Sequence, residues 1–218
     1  MVGTSRTHQA DGFLASYSSS GNLKWSTTIA SENNDDAQGV ASSSDGSIYV
    51  CGQTQGNLAG PPYTPNAGAG YIAKYGSNGT RLWLKEQVQY YSWGATTAIA
   101  ASGDGSSIFA AGFQTGDLNG TPVYLGKADA YIYCYDKNGN QKWTTTLSTA
   151  QDERAYAVAP AADGGVHASG YTYGNLGGTP NSGTSDAFVT RLSSTGTILW
   201  TRLFGGIGAE NGTSLTVL

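Results

Sequence analysis

The sequence predicts an all-β fold built from repeated four-stranded units, on three observations. One hairpin pattern occurs four times, as DGFLASYSSSGNLKW (11–25), GYIAKYGSNGTRLW (70–83), DAYIYCYDKNGNQKW (129–143) and DAFVTRLSSTGTILW (186–200). A second hairpin pattern, a small-residue run, Asp-Gly and an aromatic return run, recurs between those copies. Helical periodicity is absent throughout, whereas alternation on both sides of a Gly-containing turn is the mark of a β-hairpin.

In chain order, Met1–Ser5 resembles the later strand endings Val50–Thr54 and Ala168–Thr172, so the chain starts late in a second strand of the repeat. The first Trp hairpin follows and ends at Trp25. Its counterparts end at Trp83, Trp143 and Trp200, a spacing of roughly 60 residues that signals a repeat architecture. After an acid- and amide-rich loop (31–36) comes a small-residue strand, Ala37–Ala41, repeated as Thr96–Ala100, Ala155–Ala159 and Ser214–Leu218. Asp45-Gly46, Asp104-Gly105 and Asp163-Gly164 turn the chain, because Gly takes positive φ freely and Asp bonds local amides. The return strands Ile48–Gly52, Ile108–Gly112 and Val166–Gly170 lead into loops of the form Gly-x-x-x-Gly-(Asn/Asp)-Leu-x-Gly, whose single Leu (Leu58, Leu118, Leu176) is expected to pin the loop to its sheet.

Each unit is therefore narrow at its first strand and bulky at its last, the wedge shape of a propeller blade. The expected architecture is a β-propeller of about four four-stranded blades in one domain, 1–218. Its units are about 1–30 with 205–218, 31–90, 91–149 and 150–204, so the closing blade is split between the termini. A cut through a longer repeat array would produce the same pattern. Sheet edges left open at the ends would recruit other chains, since their N–H and C=O groups lack partners.

Composition excludes several classes. Charged residues are only 12% of the chain and the net charge is −4, with eleven scattered Lys and Arg, which argues against nucleic-acid binding. No apolar run is long enough to span a bilayer. Cys51 and Cys134 occupy slots filled in other repeats by Ala111 and Ser169, and by Ser16, Lys74 and Arg191, so they read as free thiols, with one long-range bridge as the alternative.

The paired hairpins, the recurring Trp, the acidic loop and the Asp-Gly turns together resemble the SBBP-type β-propeller repeat. The resemblance covers essentially the whole chain, as three complete repeats and two partial ones, and departs from the pattern in the long Gly-Asn-Leu loops. It implies an extracellular or cell-surface protein and carries no catalytic signature.

Candidate site residues lie in the loops approaching each small-residue strand. Asp35, Asp36, Asp152 and Glu153 would gather at one mouth of a propeller, with Tyr90, Tyr91 and Trp93 in the second repeat. Carboxylates and aromatics side by side can grip sugar hydroxyls and a sugar's apolar face, or the carboxylates can cap turns. Asp136–Asn140 starts like a calcium loop but lacks the closing Glu, so it reads as a turn. His167 takes the slot of Tyr49 and Phe109 and is assigned to packing. Asn78, Asn119 and Asn211 stand in Asn-Gly-Thr sequons and are glycosylation candidates. No metal site, cofactor or nucleophile–base pair is predicted. The expected function is a non-enzymatic extracellular binding or structural module with protein or glycan partners, and with self-association through open sheet edges. A lectin using the mouth loops is the alternative, and an acidic-mouth hydrolase or lyase the third reading.

Overall fold

The computed structural model describes residues 10–59, 68–87, 93–115 and 127–217. The described residues form strands β1 (Gly12–Tyr17), β2 (Leu23–Ile29), β3 (Asp35–Ser42), β4 (Ile48–Thr54), β5 (Ala69–Tyr75), β6 (Arg81–Gln87), β7 (Gly94–Ala101), β8 (Ile108–Thr115), β9 (Ala128–Tyr135), β10 (Gln141–Leu147), β11 (Glu153–Pro160), β12 (Val166–Thr172), β13 (Asp186–Leu192) and β14 (Ile198–Phe204), with one 3₁₀ turn at Leu176–Gly178. The fold is all-β. β1 and β2 make a two-stranded sheet, and β3–β6, β7–β10 and β11–β14 each make a four-stranded antiparallel meander.

The sequence dictates these elements locally. In the Trp hairpins Gly21, Gly79, Gly139 and Gly196 all adopt φ between 81° and 84°, where a Cβ is strained, and each N–H closes a turn on a carbonyl three residues back. Every first strand carries a bulge at one place, leaving Gln38, Thr97 and Tyr156 outside the ladder. Opposite each bulge stands a glycine, Gly52, Gly112 or Gly170, whose Cβ would overlap the carbonyl oxygen of Asp36, Ala95 or Arg154. Leu58 and Leu176 are buried and hold their loops as expected; Leu118 lies outside the described residues.

Successive sheets stack face to face through β3, β7 and β11. Gly39 of β3 lies against Cys51 and the backbone of Ala98 and Ile99, and Thr97 Oγ1 donates to the Ala155 carbonyl at 2.6 Å. A small residue is needed on these strands because no space remains for a larger one. Three apolar clusters fill the gaps: Leu14, Ile29 and Tyr71 between the first two sheets, Cys51, Ile72 and Tyr131 between the next two, and Ile132, Leu147 and Phe188 between the last two.

The Trp positions make the outer junctions. Trp25, Trp83 and Trp143 each lie against the hairpin glycine of the following sheet, with ideal Cβ positions on Gly79, Gly139 and Gly196 at 2.7, 3.1 and 2.7 Å from the indole. Each indole N–H also donates into that turn, to Ser77 O (2.8 Å), Lys137 O (3.3 Å) and Ser194 O (2.9 Å). Beneath them Tyr49 meets Trp83, Phe109 meets Trp143 and His167 meets Trp200, which places His167 in packing. The four Trp residues are not equally covered. The first three are half-buried, and Trp200 is exposed.

One expected element differs. Residues 211–217 form no strand where Ser214–Leu218 was expected to supply one; instead Gly212 N–H donates to the Gly170 carbonyl at 3.0 Å. Gly212 also lies against Ser169 of β12, but no described residue pairs with 211–217 as a second strand, and a ladder requires two strands. Met1–Ser5, the expected partner, lies outside the described residues.

Because the Trp143 junction buries an indole and satisfies its N–H, Trp143→Ala is expected to cost about 2–4 kcal/mol. Trp200→Ala, lacking that junction, should cost at most about 1 kcal/mol. Denaturant titration of dilute protein measures both.

Candidate functional site

The described loops after β2, β10 and β14 sit at one end of the molecule, and each is closed by a carboxylate. Asp35 Oδ2 accepts the Ser31 N–H (2.5 Å) and hydroxyl (2.8 Å). Glu153 accepts the Thr149 N–H (2.6 Å), the Thr149 hydroxyl (2.7 Å) and the Thr172 hydroxyl (2.6 Å), and Glu210 accepts the Gly206 N–H (3.1 Å). Every one of these acids reaches back four residues. By ladder register Asp35 and Glu153 share a slot that Gly94 fills in the β7–β10 sheet.

Asp35 and Glu153 are buried; Glu153 is held by Thr149 and Thr172, and Asp35 by Ser31 through Oδ2 while its buried Oδ1 has no hydrogen-bond partner among the described residues. Asp36 is exposed but accepts the Gln53 N–H at 2.9 Å and the Gln38 amide, and Asp152 accepts the Ala128 N–H at 3.0 Å. These four acids do not converge on a common point. Among the described residues no group of three or more His, Cys, Asp or Glu is placed to hold a metal ion. The expected turn at Asp136 is present, its carboxylate accepting the N–H groups of Asn138 and Asn140.

What the structure brings together at this end is aromatic and cationic. Trp93, exposed, packs on Phe113 with ring centroids 5.2 Å apart. The Arg154 guanidinium stacks 4.2 Å above Phe113 and 5.8 Å from the Trp93 ring, and its buried Nε has no hydrogen-bond partner among the described residues. Arg154 pairs across the ladder with Tyr171, which contacts Tyr156 at 5.9 Å and the exposed Tyr173 at 5.4 Å. The result is a strip, Trp93–Phe113–Arg154–Tyr171–Tyr173, crossing from one sheet to the next. Burial pushes the Tyr171 hydroxyl up to about 12, Arg154 opposing, so it remains a neutral donor at physiological pH.

Of the residues expected here, Trp93 lies in the strip, Asp152 precedes Arg154, and Tyr90 and Tyr91 lie outside the described residues. Phe113, Tyr171 and Tyr173 were missed because they come from return strands, not from the approach loops. The available signal was the aromatic following the pivot glycine in Gly112-Phe113 and Gly170-Tyr171, where the first repeat has Gln53.

A second feature is a cleft of about 460 Å³ beside the Trp83 junction, lined by Lys85, Glu86, Gln87, Tyr133, Tyr135 and Asn140. Glu86 accepts the N–H groups of Leu58 and Ala59, and burial pushes its carboxyl up. Cys51 and Cys134 are buried free thiols, both held protonated by burial. Asn78 and Asn211 are exposed; Asn119 lies outside the described residues.

No known family model matches the chain. Over 181 residues it is 28% identical to "Regulatory protein FlaEY" of Caulobacter vibrioides, covering 78% of this chain and 18% of that protein. The chain thus spans under a fifth of that relative. A solved structure of a protein of unknown function from Bacteroides caccae matches with a TM-score of 0.48 and 11% identity, over 91% of this chain and 60% of that one.

Asp129 generates a pH prediction. Burial, then the charges of Glu153 and Asp152, raise its carboxyl from 3.8 to about 6. A raised folded-state value means that stability is fully present below the unfolded value and is lost as pH rises from about 3.8 through about 6. Asp129→Asn should therefore be more stable than the parent above pH 6, with the advantage vanishing near pH 4. Denaturation midpoints of both proteins across that range test it.

Proposed function

We propose that this chain is a non-enzymatic extracellular module of propeller-type blades, similar to the SBBP repeat, that binds a carbohydrate or a protein surface through the Trp93–Arg154–Tyr173 strip. The observation that carries this reading is the division of labour at the loop end. Asp35 and Glu153, the acids expected to serve general acid–base work, hold turns, while the exposed aromatics Trp93 and Tyr173 flank the half-buried guanidinium of Arg154. Aromatic faces beside a fixed guanidinium suit a ligand with apolar C–H faces and hydroxyl or carboxylate acceptors, which favours an acidic or hydroxyl-rich saccharide. The relative bears the description of a regulatory protein, and a recognition module is a part such a protein can use. Blades stacked through inner small-residue strands, with loops collected at one end, support the propeller reading over a flat array.

Glycan-array binding followed by titration calorimetry tests this. A saccharide ligand is expected, weakened roughly tenfold, about 1.4 kcal/mol, by Trp93→Ala and by Arg154→Ala. Saccharide binding untouched by both changes would move the site elsewhere, and binding only to a protein partner, lost in both variants, would favour the protein-contact reading. The extracellular reading has its own check. Asn78 stands in an exposed turn, so if the protein comes from a eukaryotic secretory route, natively sourced material should lose mass at Asn78 on deglycosylation; an unmodified Asn78 there counts against a secreted origin.

A further inference from the structure

The three internal junctions are built alike, and the molecule displays both halves of a fourth. In each junction a Trp rests on the hairpin glycine of the next sheet and donates its N–H to the carbonyl two residues before that glycine. At the far end Trp200 is 39% exposed, and no hydrogen bond is formed by its indole N–H among the described residues. At the near end Gly21 adopts a φ of 81°, as the receiving glycines do within 3°, yet among the described residues no atom lies within 4 Å of where its Cβ would be. The corresponding carbonyl is that of Ser19.

The apolar positions around the two halves agree. Four residues beyond Trp25 and Trp143, Ile29 and Leu147 are buried to 1% and 2%, whereas Phe204, four beyond Trp200, is 59% exposed. On the receiving face Tyr71, Tyr131 and Phe188 are essentially covered, but Phe13, at the same ladder position, is 71% exposed. Tyr17 is exposed where Tyr75, Tyr135 and Leu192 are buried. Large apolar side chains exposed together on one face mark an interaction surface. Here the surface that fits each is already drawn three times inside the same chain.

We infer that the β14 face of one molecule docks on the β1–β2 hairpin of a second copy of this chain, with Trp200 on Gly21 and its indole N–H on the Ser19 carbonyl. The contact joins two different faces, so it is heterologous and adds molecules head to tail. A second copy is the occupant because it presents the hairpin turn, the positive-φ glycine and the apolar rim in the arrangement that Trp25, Trp83 and Trp143 already meet. The contact is independent of the ligand strip, and its failure leaves the proposed function standing.

Two substitutions each remove one half. Trp200→Ala deletes the donor. Gly21→Asn keeps the turn, since Asn tolerates positive φ, but places a Cβ where an incoming indole would lie. Sedimentation velocity on the whole chain is expected to show parent mass rising with concentration, and each variant alone as a monomer. An equimolar mixture of the two should form a capped heterodimer, because each keeps the half that the other lacks; its appearance also shows that both variants are folded. A parent that stays monomeric at every concentration, as a chain closed on itself would, overturns the inference. So does association that persists in both single variants, or a mixture that remains monomeric.

Discussion

The contact between an indole and the bare backbone of a hairpin glycine governs this molecule. Each sheet is a meander with too little apolar surface of its own, so it is stable only when stacked on a neighbour. The Trp–glycine junction sets the stacking at the rim, and the small residues of β3 and β7 set it at the inner strands. A Cβ on Gly79 or Gly196 would stand 2.7 Å from a ring atom, closer than packed atoms approach. The positive φ that makes the turn and the missing side chain that admits the Trp are thus met by one residue.

The same economy shapes the loop end. An acid that reaches back four residues closes the connection between sheets, and Asp35, Glu153 and Glu210 all do so. A carboxylate that accepts two or three such bonds is committed to holding the backbone. Where the β7–β10 sheet has Gly94 in that slot, the neighbouring surface is aromatic instead. Difference from the repeat, more than the repeat itself, creates the aromatic and cationic strip at this end.

Much of this was legible in the chain. The alternation around Gly21, Gly79, Gly139 and Gly196 marked the hairpins, Asp-Gly marked the others, and the slots of Cys51, Cys134 and His167 followed from alignment of the repeats. The small-residue strands began two residues earlier and ended one later than expected, the return strands began where expected and ran two or three residues further, and Ser214–Val217 did not become a strand. The candidate acids were expected in the approach loops, but Asp35, Asp36 and Glu153 open the strands β3 and β11 and only Asp152 precedes its strand, and their orientation was not legible. A carboxylate beside a Ser or Thr four residues earlier reads alike whether it faces solvent or its own turn. The partners of Arg154 were hidden for another reason, since Phe113 lies on a strand far away in sequence.

Local chemistry, then, is what the amino-acid sequence determined alone: turns demanding positive φ, strands demanding alternation, and the repetition that makes all units alike. Those preferences act over a few residues and need no partner. The tertiary structure decided which faces meet. It turned three of four identical Trp residues into junctions and left Trp200 exposed, because burial depends on what stands opposite a side chain and not on the side chain itself.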